Sequence, residues 1–191
     1  MLLAQISDLH LDGGERATRR AVRVMDHLRA LPRPVDALLV TGDIADHATE
    51  AEYEEAVRLL DAPFPVLACP GNHDARPAYR KAFLGEAPDT APVNRVHHIA
   101  GTAILMCDST IPGRDEGRLD TETLAWIDAT LAGLPDGAPA LIAFHQPPVE
   151  LHHPLPDAGM LQEPERDQPP GLAFHVLGED RRLTTHFRVV L

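Results

Sequence analysis

Four short clusters of oxygen- and nitrogen-bearing side chains carry the chemistry of this 191-residue chain: Asp8-x-His10, Gly42-Asp43-x-x-Asp46, Gly71-Asn72-His73-Asp74 and His145. Asp8 and His10 are one residue apart just past an apolar run, so both side chains can point to the same side. Asp43 follows a glycine after a second apolar run, and a carboxylate placed there can bridge two cations. Asn72 and His73 follow another glycine after a third run, and His145 follows directly on a fourth. Carboxylate, amide and imidazole donors together suit borderline or hard transition ions such as Mn, Fe or Zn. The lack of thiolate among them argues against a structural zinc site. A single histidine after a strand is more often a hydrogen-bonded surface residue. Four clusters in succession, each at a strand end, read as one ligand set.

The elements that must position these clusters follow from periodicity. Leu2 to Ile6, Ala37 to Val40, Pro65 to Cys69 and Ala140 to Phe144 are short apolar runs that read as buried strands, and each ends at a cluster. Val93 to Ile99 and Thr102 to Cys107 read as two adjacent strands hinged at Ala100-Gly101. Between the runs, Glu15 to Leu31 has Ala17, Ala21, Val24, Met25, Leu28 and Leu31 at helical spacing, ended by Pro32 and Pro34. Thr49 caps a helix reaching about Leu60, Pro77 to Leu84 is a short helix, and Asp120 to Leu131 is a helix carrying Trp126. Strand, polar loop and helix recur in that order, the pattern of an α/β protein with largely parallel strands. Ligands in such proteins gather beyond the C-terminal ends of the strands.

The four clusters resemble the successive motifs of the calcineurin-like phosphoesterases. The supporting text is SDLHL at Ser7 to Leu11, TGDIAD at Thr41 to Asp46, PGNHD at Pro70 to Asp74 and FHQPP at Phe144 to Pro148. The pattern is most similar to the bacterial class III cyclic-nucleotide phosphodiesterases, continuously over about Met1 to Gln162. The resemblance implies a four-layer α/β/β/α sandwich of two mixed sheets flanked by helices, as a single domain over 1–191. It implies two divalent or trivalent metal ions, one held by Asp8, His10 and Asp43, the other by Asp43, Asn72 and His145. His73 then faces the phosphate as acid or charge stabiliser, and Asp46 orients it. Two such cations hold a bridging hydroxide and polarise the phosphoryl oxygens of a small phosphodiester for in-line attack. The implied substrate is a 3',5'-cyclic nucleotide.

One family motif, Gly-His-x-His, is absent, and the text reads as an internal gap between about Gln162 and Pro169. Strands near the C-terminal end are therefore expected to be missing. Each metal loses one imidazole, and His152 and His153 on a Pro-rich loop are the nearest substitutes. His97 and His98 end a strand and could approach a substrate. His175 and His186 read as packed or solvent-facing strand residues, and His27 and His47 as solvent-facing. Lost strands expose sheet edges, and exposed edges favour pairing with another chain, so a homo-oligomer is expected.

Composition sets the remaining bounds. A net charge of −12 disfavours a long nucleic acid as partner, because phosphate contacts need clustered Lys and Arg. It leaves a small phosphorylated substrate open, because bound cations reverse the local field. Cys69 and Cys107 end apolar stretches and read as reduced core thiols. The N-terminal text MLLAQIS lacks a signal peptide's basic and long apolar regions, and no run is long enough to span a bilayer, so a cytoplasmic location without membrane attachment is expected. A protein serine/threonine phosphatase is disfavoured, since His47-Ala48 rather than Arg-Gly follows Asp46. A phosphomonoesterase, and a metal-binding or interaction module that has lost turnover, remain as alternatives.

Overall fold

The computed structural model describes residues 1–147, 171–178 and 180–189. Its elements run β1 (Leu2–Ile6), α1 (Glu15–Arg29), β2 (Ala37–Thr41), α2 (Glu50–Leu59), β3 (Val66–Cys69), α3 (Arg76–Ala78), β4 (Arg95–Ile99), β5 (Thr102–Met106), α4 (Thr121–Ala132), β6 (Ala140–Ala143), β7 (Gly171–Leu177) and β8 (Leu183–Val189). One sheet has the order β3-β2-β1-β7-β8 and a second the order β4-β5-β6. The parallel set β1, β2 and β3 is extended by antiparallel β7 and β8. In the second sheet β4 is antiparallel and β6 parallel to β5, so both sheets are mixed.

Packing makes four layers. Ala21, Val24, Met25 and Leu28 of α1, with Tyr53 and Ala56 of α2, cover the outer face of the first sheet through Ala4, Ile6, Leu38 and Val40. Its inner face, with Leu3, Leu39 and Leu67, meets Ile104 and Met106 of the second sheet. Leu105 and Cys107 turn away from that seam to pack against Ile127 and Trp126 of α4. Each fully buried Leu, Ile or Met contributes about 1.5–3 kcal/mol from area removed from water. All five residues of β2 are buried because this central strand is covered on both faces. Cys69 and Cys107 are buried free thiols.

Two local features shape the loops below. Thr49 and Glu52 form a reciprocal capping box at the start of α2. The segment expected as a helix over Pro77 to Leu84 instead widens into a π-turn at Tyr79–Phe83, with Leu84 N–H donating to the Tyr79 carbonyl at 3.1 Å. The wide turn buries Tyr79 and carries Arg80 to the carbonyls of Ala91 and Pro92.

Five strands face three among the described residues, so the inner face of β7 and β8 extends past the second sheet. A cavity of about 370 Å³ lies there, lined by Leu3, Gln5, Leu141, His145, His175 and Leu183, and Phe187 is 86% exposed. Residues 148–170 lie outside the described residues, and with them His152, His153 and the expected gap between Gln162 and Pro169. Among the described residues no helix is long and apolar enough to cross a membrane.

Candidate metal centre

The loops after β1 and β2 are zipped together by main-chain hydrogen bonds. The N–H of Asp8 donates to the Gly42 carbonyl at 3.1 Å, that of His10 to the Asp43 carbonyl at 3.0 Å, and that of Asp46 to the Leu11 carbonyl at 3.0 Å. Within them Asp8, His10 and Asp43 all adopt left-handed backbone, with φ of 59°, 44° and 50°. Non-glycine residues rarely stay there unless the surroundings hold them, and such positions cluster at functional sites. Two glycines make room. A Cβ on Gly71 would run into Asp43, and one on Gly42, itself at φ 87°, would run into the ring of His145 and the Gly71 backbone.

Asp43 is the hub, 1% exposed. Its Oδ1 accepts the main-chain N–H of His73 at 2.9 Å. Its Oδ2 lies 3.6 Å from His10 Nε2 and 3.5 Å from His145 Nε2. Each imidazole is oriented through its other nitrogen. His10 Nδ1 lies 2.9 Å from Asp46 Oδ1, and His145 Nδ1 lies 2.8 Å from the Thr41 carbonyl. An Nδ1–H donated to these acceptors leaves the Nε2 lone pairs directed at Asp43, the tautomer a metal ligand needs. Asp8 Oδ1 lies 3.8 Å from His10 Nε2, and Asn72 Oδ1 lies 3.1 Å from His145 Nε2.

Two groups of donors therefore share one carboxylate oxygen. Asp8, His10 and Asp43 could hold one ion, their donor atoms all within 4.8 Å of one another. Asp43, Asn72 and His145 could hold a second. His10, Asp46 and His73 also lie within that spacing. There, however, the nitrogens nearest Asp46 are the Nδ1 atoms of both rings, which donate to its carboxylate or carbonyl. That group is better read as a hydrogen-bonded cluster supporting the first.

His73 Nδ1 lies 2.9 Å from the main-chain carbonyl of Asp46 and 3.4 Å from its Oδ1. Asp46 thus meets His73 mainly through its backbone, and its carboxylate sits closer to His10. The carboxylate expected to orient His73 is accordingly shared with His10.

The electrostatics match this reading. His10 is pushed up to about 8 by the Asp8 carboxylate and further by Asp46 and Asp43, against desolvation. Desolvation pulls His145 down, yet Asp43 and the Thr41 carbonyl outweigh it and bring it to about 9. Burial pushes Asp8 and Asp43 up, and their histidine, Ser7 and backbone donors more than offset it, leaving both lowered. Without metal, the site is held by protons between imidazoles and carboxylates. A cation must displace them, so Mn²⁺ affinity is expected to rise from pH 6 to pH 9 with protons released on binding. Raised histidine values stabilise the metal-free fold fully below about pH 6.5, and that contribution is lost as pH passes 8 to 9. Calorimetry in buffers of different ionisation heat, with thermal melts, tests both; a pH-independent Mn²⁺ affinity would contradict this account.

Several positioning groups lay beyond sequence reasoning. Asp74 is buried, and its carboxylate accepts the N–H groups of Gly71, Ile44 and Ala45 and the hydroxyl of Tyr53. It clamps the loop holding Asp43 to the loop holding Asn72. The signal was visible in the last letter of Gly71-Asn72-His73-Asp74. The Thr41 carbonyl, which also accepts from Ser7 Oγ at 2.8 Å, left no signal because it is main chain. His97 and His98 pair with Ile104 and Ala103 within the second sheet and join neither donor group. His175 engages Thr185 Oγ1 at 2.9 Å and Gln5 Oε1 at 2.7 Å.

Fold and site together define a protein of the metallophosphoesterase kind, and comparison agrees: a family model for calcineurin-like phosphoesterases matches residues 1–175, and the chain belongs to that family. It is 37% identical over 78% of its length to a cAMP/cGMP dual specificity phosphodiesterase of Mycobacterium tuberculosis, covering 50% of that protein. It is 32% identical over 79% of its length to a glycerophosphodiester phosphodiesterase of Enterobacter lignolyticus, covering 58% of it. It is 29% identical over 81% of its length to a 3',5'-cyclic adenosine monophosphate phosphodiesterase of Escherichia coli, covering 56% of it. The chain thus spans roughly half to three-fifths of the length of these relatives.

Proposed function

We propose that this chain carries the catalytic centre of a metal-dependent phosphodiesterase, with two cations sharing Asp43 and a 3',5'-cyclic nucleotide as substrate. The observation that carries the reading is the convergence of His10 Nε2 and His145 Nε2 on one oxygen of Asp43, each ring fixed through its Nδ1. The mixed oxygen and nitrogen donors fit Mn, Fe or Zn. Asp8, His10, Asp43, Asn72 and His145 would hold the cations, which when bound would supply Lewis-acid polarisation of the phosphoryl group and an acidified water. The cyclic-nucleotide substrate is supported by two of the three relatives' names, and a glycerophosphodiester is the competing substrate from the third.

The chain's own residues supply the rest. Asp8 and Asn72 hold opposite ends of the site, and Asp43 Oδ1 is pinned by the His73 N–H so that only Oδ2 is shared. His73 presents Nε2 to the leaving oxygen, with Nδ1 held by the Asp46 carbonyl. A proton donated from Nε2 neutralises the departing alkoxide. The second reading, a metal-binding module without turnover, draws on the missing Gly-His-x-His.

Hydrolysis of bis(p-nitrophenyl) phosphate with added Mn²⁺ separates the two readings, with 3',5'-cAMP and a glycerophosphodiester compared afterwards. His73→Gln is expected to keep Mn²⁺ binding and lower turnover by about 10²–10⁴-fold, the usual worth of a general acid. A folded chain that binds Mn²⁺ and hydrolyses none of these esters leaves the binding module as the correct reading.

A further inference from the structure

His47 reads from the sequence as solvent-facing, but it directly follows Asp46. It is 63% exposed at its side chain, yet one ring nitrogen is hydrogen-bonded and the other, when the ring is protonated, lies within ion-pair range of a second carboxylate. Nδ1 lies 2.8 Å from Glu52 Oε1 and Nε2 lies 3.4 Å from Asp46 Oδ2. Glu52 is a firm anchor. Its side chain is 6% exposed, and its Oε2 accepts the Thr49 N–H at 3.0 Å in the α2 capping box and, beyond it, the His47 N–H at 3.1 Å. The other oxygen of Asp46 holds His10 Nδ1 at 2.9 Å. Contacts therefore run from the N-terminus of α2 through Glu52, His47 and Asp46 to His10.

The backbone next to His47 adds an independent observation. Ala48 sits at φ 55°, a left-handed conformation that costs an alanine about 1–2 kcal/mol. Strain of this kind persists where surroundings impose it and concentrates at functional sites. Here it turns the chain from Asp46 into α2 while the ring of His47 stays on both carboxylates.

We propose that His47 is a positioning residue for the metal centre, holding the Asp46 carboxylate in the orientation that fixes His10. The inference rests on the metal-binding reading above. With Oδ1 hydrogen-bonded to His10 and Oδ2 facing a protonated His47 ring at ion-pair distance, rotation of the Asp46 carboxylate gives up one contact or the other. Without His47 it is held on one side only, and His73 Nδ1, 3.4 Å from Oδ1, competes with His10 for it. His47 touches neither cation nor substrate and acts through Asp46.

Two substitutions separate its nitrogens. Glutamine places an amide nitrogen near the position of Nε2 and keeps the contact to Asp46; asparagine places one near Nδ1 and keeps the contact to Glu52. Mn²⁺ titration of the metal-freed full chain, followed by electron paramagnetic resonance, gives the affinities, and thermal unfolding of the same metal-free samples gives stability. His47→Asn is expected to weaken Mn²⁺ binding about tenfold, the lower end of the cost of losing a ligand's supporting partner, and His47→Gln to stay near the wild type. Both variants should unfold at similar temperatures. Equal affinity in His47→Asn and wild type overturns the proposal. So do parallel losses of affinity and melting temperature in both variants, which mark a purely structural role. A folded wild type that binds no Mn²⁺ overturns the metal-binding reading itself, and this inference with it.

Discussion

Replacing Asp43 with alanine is expected to empty both cation positions and to lower phosphodiester turnover by more than about 10³-fold, beyond the effect of losing one transition-state contact. Oδ2 of Asp43 is the atom on which His10 and His145 converge, at 3.6 and 3.5 Å, and Oδ1 fixes His73 by its main-chain N–H at 2.9 Å. On the proposed reading, removing the carboxylate would take a shared anionic ligand from each metal. It also leaves two imidazoles, raised to about 8 and 9 partly by Asp43 itself, without their common counter-charge. Asp43→Asn keeps the shape and the bond from His73, so it isolates the charge, and it too should lose most metal. Metal content after dialysis, measured beside Mn²⁺-dependent hydrolysis, decides the matter. Retention of two Mn²⁺ ions by Asp43→Ala would remove Asp43 as the bridge.

Replacing Asp74 with alanine is expected to cost the metal-free fold about 4 kcal/mol, because buried donors left without a partner cost about 1–3 kcal/mol each and water recovers part. Four donors are involved: the N–H groups of Gly71 at 2.8 Å and of Ile44 and Ala45 at 3.2 Å, and the Tyr53 hydroxyl at 3.0 Å. For a chain of this size the melting temperature should fall by about 8–16 °C. Asp74→Asn should cost roughly half as much, since one oxygen survives and the amide nitrogen meets a donor. Ile44 follows Asp43 and Gly71 precedes Asn72, so metal affinity should fall with stability. A loss below about 1 kcal/mol in urea unfolding would show that water replaces the carboxylate and that Asp74 is no clamp.

The sequence by itself determined the elements and the candidate ligands. Alternation of short apolar runs with amphipathic helices reports burial, which is a local property of side-chain type, so β1, β2, β3 and α1 were legible to within a residue or two. Asp8, His10, Asp43, Asn72 and His145 were legible as a candidate set because each lies within four residues past the end of such a run. Tertiary structure decided what those residues do to one another. Asp46 turned out to face His10 with its carboxylate and His73 with its carbonyl, a choice set by the path of the 42–46 loop against the 7–11 loop. The roles of Asp74 and His47 depend on partners up to 30 residues away and on main-chain donors, which carry no letter in the sequence. The widening of the expected helix at Tyr79–Phe83, which buries Tyr79 and Arg80, likewise left no local signal. Residue type fixes which atoms can bind a metal; only the packing of loops fixes which nitrogen faces it.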